Sequence, residues 1–262
     1  MDRDLQVLAQ HLWDARCKGR TINPSEYRLP TSKEEAYAVQ CEIVALSGSQ
    51  HCGYKIGSTS KEAQAILGTS EPGAGSLLRS FLYESPTQVC VVSDHCPAVE
   101  AEFAFRLGKN LLPRAAPYAL EEISLAIECV AGSIEVVGSR FAGGLRGQGR
   151  FLTTADGSAN IALVVGRWHS WQDQDLRQHA VTMTIDGVSQ GTGTGERVLG
   201  NPLYALSWLA GSLSDTERGL KAGEIVATGT CTGLDVVAPG VTAIADFGNF
   251  GCVEIEFTAP TI

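Results

Sequence analysis

The amino-acid sequence predicts an α+β protein built on a rolled or sandwich-like sheet. The first third of the chain has helical spacing, and from about residue 86 short β-branched runs are separated by Gly, Pro and Asn. No regular strand–helix–strand alternation is present, which disfavours a doubly wound parallel sheet. We expect an N-terminal helical and mixed region over 1–85 and a sheet domain over 86–262. A single domain is the alternative, because the segment that joins them is short.

Three helices are expected before residue 70, because apolar residues recur at helical intervals and polar or glycine residues mark the ends. Ser32 and Ser60 are the expected N-caps of the second and third helix. A short strand is expected at 54–58, between the second and third helix, and a glycine turn at 71–76. The predicted helices cover residues 4–19, 32–48 and 60–68.

The remainder of the chain predicts strands interrupted by two helices, at 119–132 and 201–213. The glycine-rich stretch GTGTGER, 191–197, lacks the Lys-Ser/Thr ending of a phosphate-binding loop and is expected to be an ordinary loop. The strands are identified by runs of β-branched and aromatic residues. They cover residues 88–93, 99–107, 133–138, 160–166, 180–186, 224–229, 241–248 and 252–257.

Composition and net charge disfavour some classes of binding partner. The 262-residue chain has a formal net charge of −9 with scattered Lys and Arg, so neither nucleic acid nor an anionic membrane is an expected partner. The eight cysteines show no C-x-x-C spacing, which favours buried free thiols over a zinc site. The N-terminal residues fit neither a signal peptide nor a membrane span, and a cytoplasmic location is expected.

The segment AVEAEFAFRLG, 98–108, places two carboxylates in a mostly apolar run. Because alternate side chains of a strand share a face, Glu100 and Glu102 point the same way and their apolar neighbours point the other way. Two like charges about 6–7 Å apart repel unless water screens them or a cation lies between them. A solvated strand face and a metal site are the two interpretations.

Glu135 is a third carboxylate in an apolar β-run, SIEVVGSRF, 133–141. A carboxylate buried alone in such a segment is costly. Convergence of the three glutamates on a hard divalent cation, Mg²⁺ or Mn²⁺, explains all of them, since such cations take oxygen ligands. Three separate solvated faces are the alternative, and spacing between distant strands does not decide between the two.

Two further side chains are candidates for chemistry. Lys55, in GYKIGSTS, lies among glycines that permit close backbone approach, where a lysine can bind a carboxylate or transfer a proton. A solvent-facing lysine at a strand edge is the alternative. Asp156, in TTADGSAN, is either a ligand partner or an Asx turn. The stretch TGTCTGLD, 228–235, offers amides and hydroxyls to a substrate carboxylate, or forms a hairpin turn.

Many short motifs occur in one order along the chain. They are GYKIGSTS, EPGAGSL, VEAEFAF, SIEVVGSRF, TADGSANIALVVG, VLGNPLYALSWLA, GEIVATGTCTGL and ADFGNFGCVEIEF. Each motif alone is weak, whereas their shared order is specific. Over roughly residues 50–258 that order resembles the hydratase and decarboxylase branch of the fumarylacetoacetate hydrolase superfamily.

This resemblance implies a mixed β-roll with an N-terminal helical region, usually assembled as a homo-oligomer. It implies Mg²⁺ (or Mn²⁺) as cofactor and a small 2-oxo acid as substrate. The expected site comprises the metal ligands Glu100, Glu102 and Glu135, the catalytic residues Lys55 and Asp156, and the substrate-binding residues Ser60, Thr228 and Gly229.

Two glycines depart from the family pattern. Gly73 stands where related hydratases have the aspartate of Pro-Asp-Phe-Gly, an acid implicated in proton handling, and Gly157 stands where they have the asparagine of Asp-Asn-Ala-Ser. The expected function is a metal-dependent lyase that hydrates a small 2-oxo or 2-hydroxy-dienoic acid. A decarboxylase or C–C hydrolase of a 2-oxo diacid on the same metal site is one alternative. A catalytically inactive binding or assembly protein of the same fold is the other.

Overall fold

A computed structural model of the chain describes residues 1–214, 216 and 218–260. Two of its helices precede the first strand and the others lie between strands. Polar caps begin several of them: Ser32 accepts a hydrogen bond from the Glu35 N–H, and Ser60 accepts one from the Ala63 N–H. The described helices are α1 (Arg3–Lys18), α2 (Lys33–Ser47), α3 (Lys61–Ile66), α4 (Leu120–Ala126), α5 (Gly149–Ala155) and α6 (Pro202–Ser212).

The strands form two sheets whose β-branched and aromatic residues fit a half-buried pleated surface. Those of the first sheet are β1 (His51–Gly57), β2 (Gly73–Leu78), β3 (Leu82–Glu84), β5 (Ala98–Leu107), β6 (Ile127–Val137), β7 (Asn160–Val165), β8 (His169–Ser170), β11 (Ile225–Thr230) and β12 (Asp235–Val236). Those of the second are β4 (Thr87–Cys90), β9 (Ala180–Ile185), β10 (Val188–Thr194), β13 (Thr242–Asp246) and β14 (Cys252–Thr258).

Four strands of the first sheet, β1, β11, β5 and β6, lie side by side near its centre. The order is β2-β1-β11-β5-β6-β7-β3, with β12 added to β5 and β8 added to β6. The second sheet has the order β10-β9-β13-β14-β4. The pairs β1–β11, β3–β7 and β4–β14 are parallel and the remaining pairs are antiparallel, so both sheets are mixed. Strands from both sides of residue 85 share the first sheet, and the division of the chain there stays a prediction.

The main core lies between the two sheets, and one face of β5 contributes alternate residues to it. Phe103 packs edge-on against Phe247 and Phe250, with ring centroids 5.3 and 5.7 Å apart. Val99 and Ala101 join the same buried cluster, whereas Ala104 belongs to a different one on the opposite face. The face of β5 that carries Glu100 and Glu102 is therefore turned away from the main core, as the alternation predicts.

Three local predictions are wrong, each because tertiary contacts override local signals. Residues 71–76 are not a turn: β2 begins at Gly73 and pairs antiparallel with β1. The helix expected over 119–132 ends at Ala126, and its β-branched second half enters β6 and pairs with β5. The loop expected at 191–197 contains the end of β10, where a Cβ at Gly193 would lie 1.8 Å from the Cys231 carbonyl oxygen.

The cysteines are free, as expected, but most are not buried. Only Cys129 and Cys231 are buried, and Cys52 is half-buried. The other five are exposed. Cys90 and Cys252 lie on the outer face of β4 and β14, because alternate side chains of a strand point to opposite faces. Cys17 and Cys41 lie on the exposed faces of α1 and α2. Among the helices of the described residues, none combines the length and the apolar character that crossing a membrane requires.

Candidate functional site

Three glutamates meet on the face of the first sheet that is turned away from the main core. Glu100 on β5 is paired directly with Glu135 on β6, and Glu102 is paired with Ser133. Directly paired residues project to the same face, so the antiparallel register places the three carboxylates together. One carboxylate oxygen from each lies within 4.8 Å of the others. Glu102 and Glu135 are fully buried and Glu100 is half-buried, so the alternative of three separate solvated faces does not describe this arrangement.

Lys55 reaches this cluster from β1, although two strands separate β1 from β6. Its Nζ lies 3.1 Å from Glu135 Oε2, and its side chain is only 4% exposed. Lys55 is in register with Ala227, which is paired with Ala104, which is paired with Ala131. The Lys55 side chain lies 3.2 and 3.3 Å from the Cβ positions of Gly75 and Gly57, which have no side chain to exclude it, and the curl of the sheet shortens the distance to β6. Lys55 is therefore an inward-facing cation.

The protonation of the cluster follows from burial and mutual repulsion. Burial raises the pKa of Glu100 to about 7 against the opposing effect of Lys55, and Glu135 raises it further. Burial, followed by the charges of Glu135 and Glu100, holds the pKa of Glu102 well above its usual range. Burial also raises the pKa of Glu135, although Lys55 and Asn160 oppose it. The cluster therefore favours bound protons when no further positive charge is present.

Burial lowers the pKa of Lys55, but the charges of the three glutamates outweigh this effect and the pKa lies above its usual value. Lys55 thus stays protonated at neutral pH. In that form Lys55 is a cation that can donate a proton, and it lacks the free amine that a base requires.

The donor set fits a hard divalent cation. Three carboxylates supply only oxygen ligands, which Mg²⁺ and Mn²⁺ prefer. Glu102 Oε1 is buried and has no hydrogen-bond partner among the described residues. A buried carboxylate oxygen without a donor is costly, and a cation between the three carboxylates satisfies it. Glu100, Glu102 and Glu135 are therefore the residues that could hold a metal ion.

Neighbouring residues hold two of the acids in place. The Gly229 N–H donates to Glu102 Oε2 at 2.9 Å, and Asn160 Nδ2 donates to Glu135 Oε1 at 2.8 Å. Gly229 interrupts the register between β11 and β5 with φ +111°, and a Cβ there would lie 2.2 Å from Thr59 Oγ1. Glycine is thus required at the position that orients Glu102.

A cavity of about 380 Å³ opens beside the cluster. Lys55 and Glu100 lie at its polar end, and Leu67, Val137 and Leu145 contribute apolar wall. A pocket with apolar walls and a few convergent polar groups is typical of a small-molecule site. A small organic acid bound in this cavity would lie next to Lys55 and Glu100.

Other predicted site residues lie around this cavity without lining it. Thr228 Oγ1 donates to the Phe103 carbonyl at 2.8 Å, and Ser60 Oγ accepts from the Ala63 N–H. Gly229 contacts Glu102 rather than the cavity. The substrate-binding roles of Ser60, Thr228 and Gly229 stay predictions, and the observed contacts are those of residues that hold the backbone and a metal ligand.

Asp156 is separated from the acidic cluster by its own ion pair. Arg140 Nε donates to Asp156 Oδ1 at 2.6 Å and the Arg140 N–H donates to Oδ2 at 2.8 Å, with both side chains 3% exposed. Burial raises the pKa of Asp156 and Arg140 opposes this effect. Asp156 lies outside the residues that line the cavity, whereas Ser158 and Ala159 of the same segment do line it. Its catalytic role stays a prediction.

The sequence reasoning missed three polar residues of this region. Asn160 orients Glu135, Arg140 neutralises Asp156, and Arg150 lines the cavity. Asn160 begins β7, and an amide directly before an apolar strand was the available signal. Arg140, which is buried, and Arg150, which is half-buried, have no such signal, because their partners are not adjacent in sequence.

Comparison with known proteins identifies the family. Residues 80–258 match the family described as fumarylacetoacetate (FAA) hydrolase C-terminal. The chain therefore belongs to the fumarylacetoacetate hydrolase family, and the mixed β-roll with an N-terminal helical region that the motif order implied is confirmed.

Similar proteins place the chain within that family. It is 32% identical over 263 residues to a 2-keto-4-pentenoate hydratase of Burkholderia vietnamiensis, with 98% of each chain covered. It is also 32% identical to a 2-oxo-hept-4-ene-1,7-dioate hydratase of Escherichia coli, with 96% of this chain and 97% of the relative covered. A solved 4-oxalocrotonate decarboxylase from Pseudomonas putida G7, complexed with magnesium and adipate, is 27% identical with a TM-score of 0.88, over 98% of both chains. The predicted branch and the prediction of an enzyme are confirmed.

Proposed function

We propose that this chain is a hydratase that adds water to a small 2-hydroxy-dienoic or 2-oxo-enoic acid, with Mg²⁺ (or Mn²⁺) bound by Glu100, Glu102 and Glu135. The observation that carries the proposal is the convergence of these three acids beside a buried lysine at the end of a small cavity. The full-length similarity to hydratases supports the reaction class. The magnesium, calcium or manganese ions in related solved structures support the choice of cation.

In this proposal some residues of the site supply charge, and others hold the charged groups in position. When bound, a divalent cation supplies positive charge that stabilises negative charge developing on a 2-oxo acid. Lys55, buried beside the three glutamates and lining the cavity, can donate a hydrogen bond to the substrate carboxylate and deliver a proton. Gly229 and Asn160 hold their glutamates in fixed positions, which lowers the reorganisation that the reaction requires. The apolar wall excludes bulk water from the reacting carbons.

Decarboxylation of a 2-oxo diacid is a second candidate. The similarity to a decarboxylase over 98% of both chains supports it, with a TM-score of 0.88. The glycine at position 73 also supports it, because the acid that related hydratases carry there is missing. Both reactions require the same stabilisation of negative charge, so the metal ligands do not distinguish them.

The test is a turnover assay with and without Mg²⁺ on 2-hydroxy-dienoic and 2-oxo acids. Loss of the ultraviolet absorbance of the conjugated acid without CO₂ release supports hydration, and CO₂ release supports decarboxylation. Removal of metal by chelation is expected to abolish either signal and re-addition to restore it. Lys55→Met is expected to abolish turnover while Mg²⁺ is still bound, with the exposed Lys109→Met as the matched control. Absence of turnover with every acid tested, together with no retained metal, contradicts the proposal.

We also propose that the protein assembles with copies of itself and acts in the cytoplasm, as the resemblance to the family implies. Light scattering coupled to size-exclusion chromatography tests the first statement, and fractionation of the source cells tests the second. A single species at the 27.7 kDa mass of one chain contradicts assembly.

A further inference from the structure

Arg150 is a cation on the cavity wall that the proposed reaction does not use. It lies in α5 and lines the same cavity as Lys55 and Glu100. Its Nη2 donates to the Glu71 carbonyl at 2.7 Å, but its Nε is buried and has no hydrogen-bond partner among the described residues. A guanidinium keeps its charge at neutral pH and offers several donors in a planar fork that matches a carboxylate. An unsatisfied buried donor on such a group points to an anionic ligand.

The guanidinium of Arg150 occupies the space above Gly73. A Cβ at position 73 would lie 2.1 Å from Nη1 and 3.0 Å from Cζ of Arg150. The resemblance to related hydratases implies an aspartate at this position, whereas in this chain the guanidinium of Arg150 lies over the backbone of a glycine.

Register places Arg150 and Lys55 over one face of the β1–β2 pair. Gly57 is paired with Gly73, and Lys55 is paired with Gly75. Lys55 Nζ lies 3.3 Å from the Cβ position of Gly57, and paired Cβ positions are about 5.5 Å apart or less. With the 2.1 Å approach of Arg150 to Gly73, the two cationic nitrogens lie no further than roughly 11 Å apart. A short chain with a carboxylate at each end can contact both.

We propose that Arg150 binds a second carboxylate of the substrate, and that the preferred substrate is a small 2-oxo or 2-hydroxy-dienoic diacid. This inference rests on the proposed function, in which Lys55 and the acidic cluster take the 2-oxo acid end. Gly73 supports it, because a side chain at this position would have to displace the guanidinium from its present place.

Two measurements test this assignment. In the presence of Mg²⁺, calorimetry compares binding of the saturated diacid adipate with binding of the monoacid hexanoate. Kinetics compares kcat/KM for 2-oxohept-4-ene-1,7-dioate with kcat/KM for 2-oxopent-4-enoate. Wild type is expected to prefer the diacid in both. Arg150→Gln is expected to reduce the diacid-to-monoacid ratio about 10- to 100-fold, as for loss of a charge-assisted hydrogen bond.

Two further variants sharpen the test, and Arg79→Gln, an exposed arginine outside the cavity, is the matched control. Arg150→Lys is expected to retain part of the preference because it keeps the charge but loses the fork. Gly73→Asp places a carboxylate against the flexible end of Arg150 and is expected to reduce the preference as Arg150→Gln does. An unchanged ratio in Arg150→Gln, or a control with the same loss, overturns the proposal.

Failure of the role proposed for Arg150 can be distinguished from failure of the proposed function. Turnover of the monoacid with no preference for the diacid overturns the role of Arg150 and leaves the hydratase proposal standing. Absence of all turnover contradicts the hydratase proposal, and the binding comparison still decides the role of Arg150. Adipate that binds no better than hexanoate overturns that role in either case.

Discussion

Replacing Glu102 by glutamine should weaken Mg²⁺ binding without lowering the free energy of unfolding. The carboxylate oxygens of the cluster lie within 4.8 Å of one another, and at an effective dielectric of about 20 two ionised groups at that distance repel by about 3.5 kcal/mol. Glu102 has two such neighbours. Glu102→Gln removes an acid whose charged form is disfavoured in the folded protein. In the absence of metal, the free energy of unfolding of the variant should therefore equal or exceed that of the wild type.

The geometry of Glu102 explains why glutamine fits. The amide oxygen of the variant can accept the Gly229 N–H that Glu102 Oε2 accepts at 2.9 Å. The amide nitrogen then lies where Oε1 has no partner and can donate to a neighbouring glutamate. The same change removes a charged metal ligand, so the affinity for Mg²⁺ should fall at least about 100-fold, beyond the usual effect of a residue that only supports a ligand.

The assay combines urea unfolding and calorimetry, each with and without Mg²⁺. At a Mg²⁺ concentration of about 100 times Kd, the wild type should gain about 2.7 kcal/mol of stability and Glu102→Gln almost none. The exposed Glu254→Gln is the matched control and should behave as the wild type. Equal Mg²⁺ affinity in Glu102→Gln and wild type refutes the ligand assignment. A metal-free variant that is several kcal/mol less stable refutes the electrostatic reasoning.

Three further predictions concern the surroundings of the cluster. Asp156→Asn should lower the free energy of unfolding by about 3–5 kcal/mol, because Arg140 is left as an unpaired buried charge; a loss below 1 kcal/mol in urea unfolding contradicts this. Gly229→Ala should lower both the Tm and the Mg²⁺ affinity, because its methyl group meets Thr59; unaltered calorimetry contradicts it. Burial raises the pKa of Glu100 from 4.5 to about 7, so the folded metal-free protein retains a proton there that the unfolded chain releases, and its stability should fall as pH rises between those values. Because Mg²⁺ displaces that proton, the Tm increase caused by Mg²⁺ should be larger at about pH 8 than at about pH 5.5, and a Tm increase independent of pH contradicts this.

The cluster of three glutamates was predictable because its signals are local. Glu100 and Glu102 differ by two residues, which in a strand fixes a shared face, and Glu135 stands out as an acid among β-branched residues. The order of motifs then supplied the fold class and the branch of the family. Even so, spacing along the chain carries no information about the pairing of Glu100 with Glu135, which only the register between β5 and β6 supplies.

The errors have a common physical origin. Gly73 is expected in a turn and Gly193 in a loop, but both lie in strands, where a Cβ would meet Arg150 Nη1 at 2.1 Å and the Cys231 carbonyl oxygen at 1.8 Å. The segment after Ala126 was assigned to a helix because its apolar residues suit either structure, and pairing with β5 decides for a strand. The catalytic role of Asp156 is not among these errors and stays a prediction, and its partner Arg140 is found only in three dimensions.

The direct pairing of Glu100 with Glu135 also bears on how the chain folds. A slip of β5 by one residue against its neighbours would exchange its two faces. The glutamates would then enter the aromatic cluster around Phe103, and the phenylalanine would be moved among carboxylates and Lys55. The acids thus penalise misaligned pairings that apolar residues alone would tolerate. A one-residue deletion inside Ala98–Leu107 should therefore prevent folding, even though the deleted strand would keep most of its apolar content.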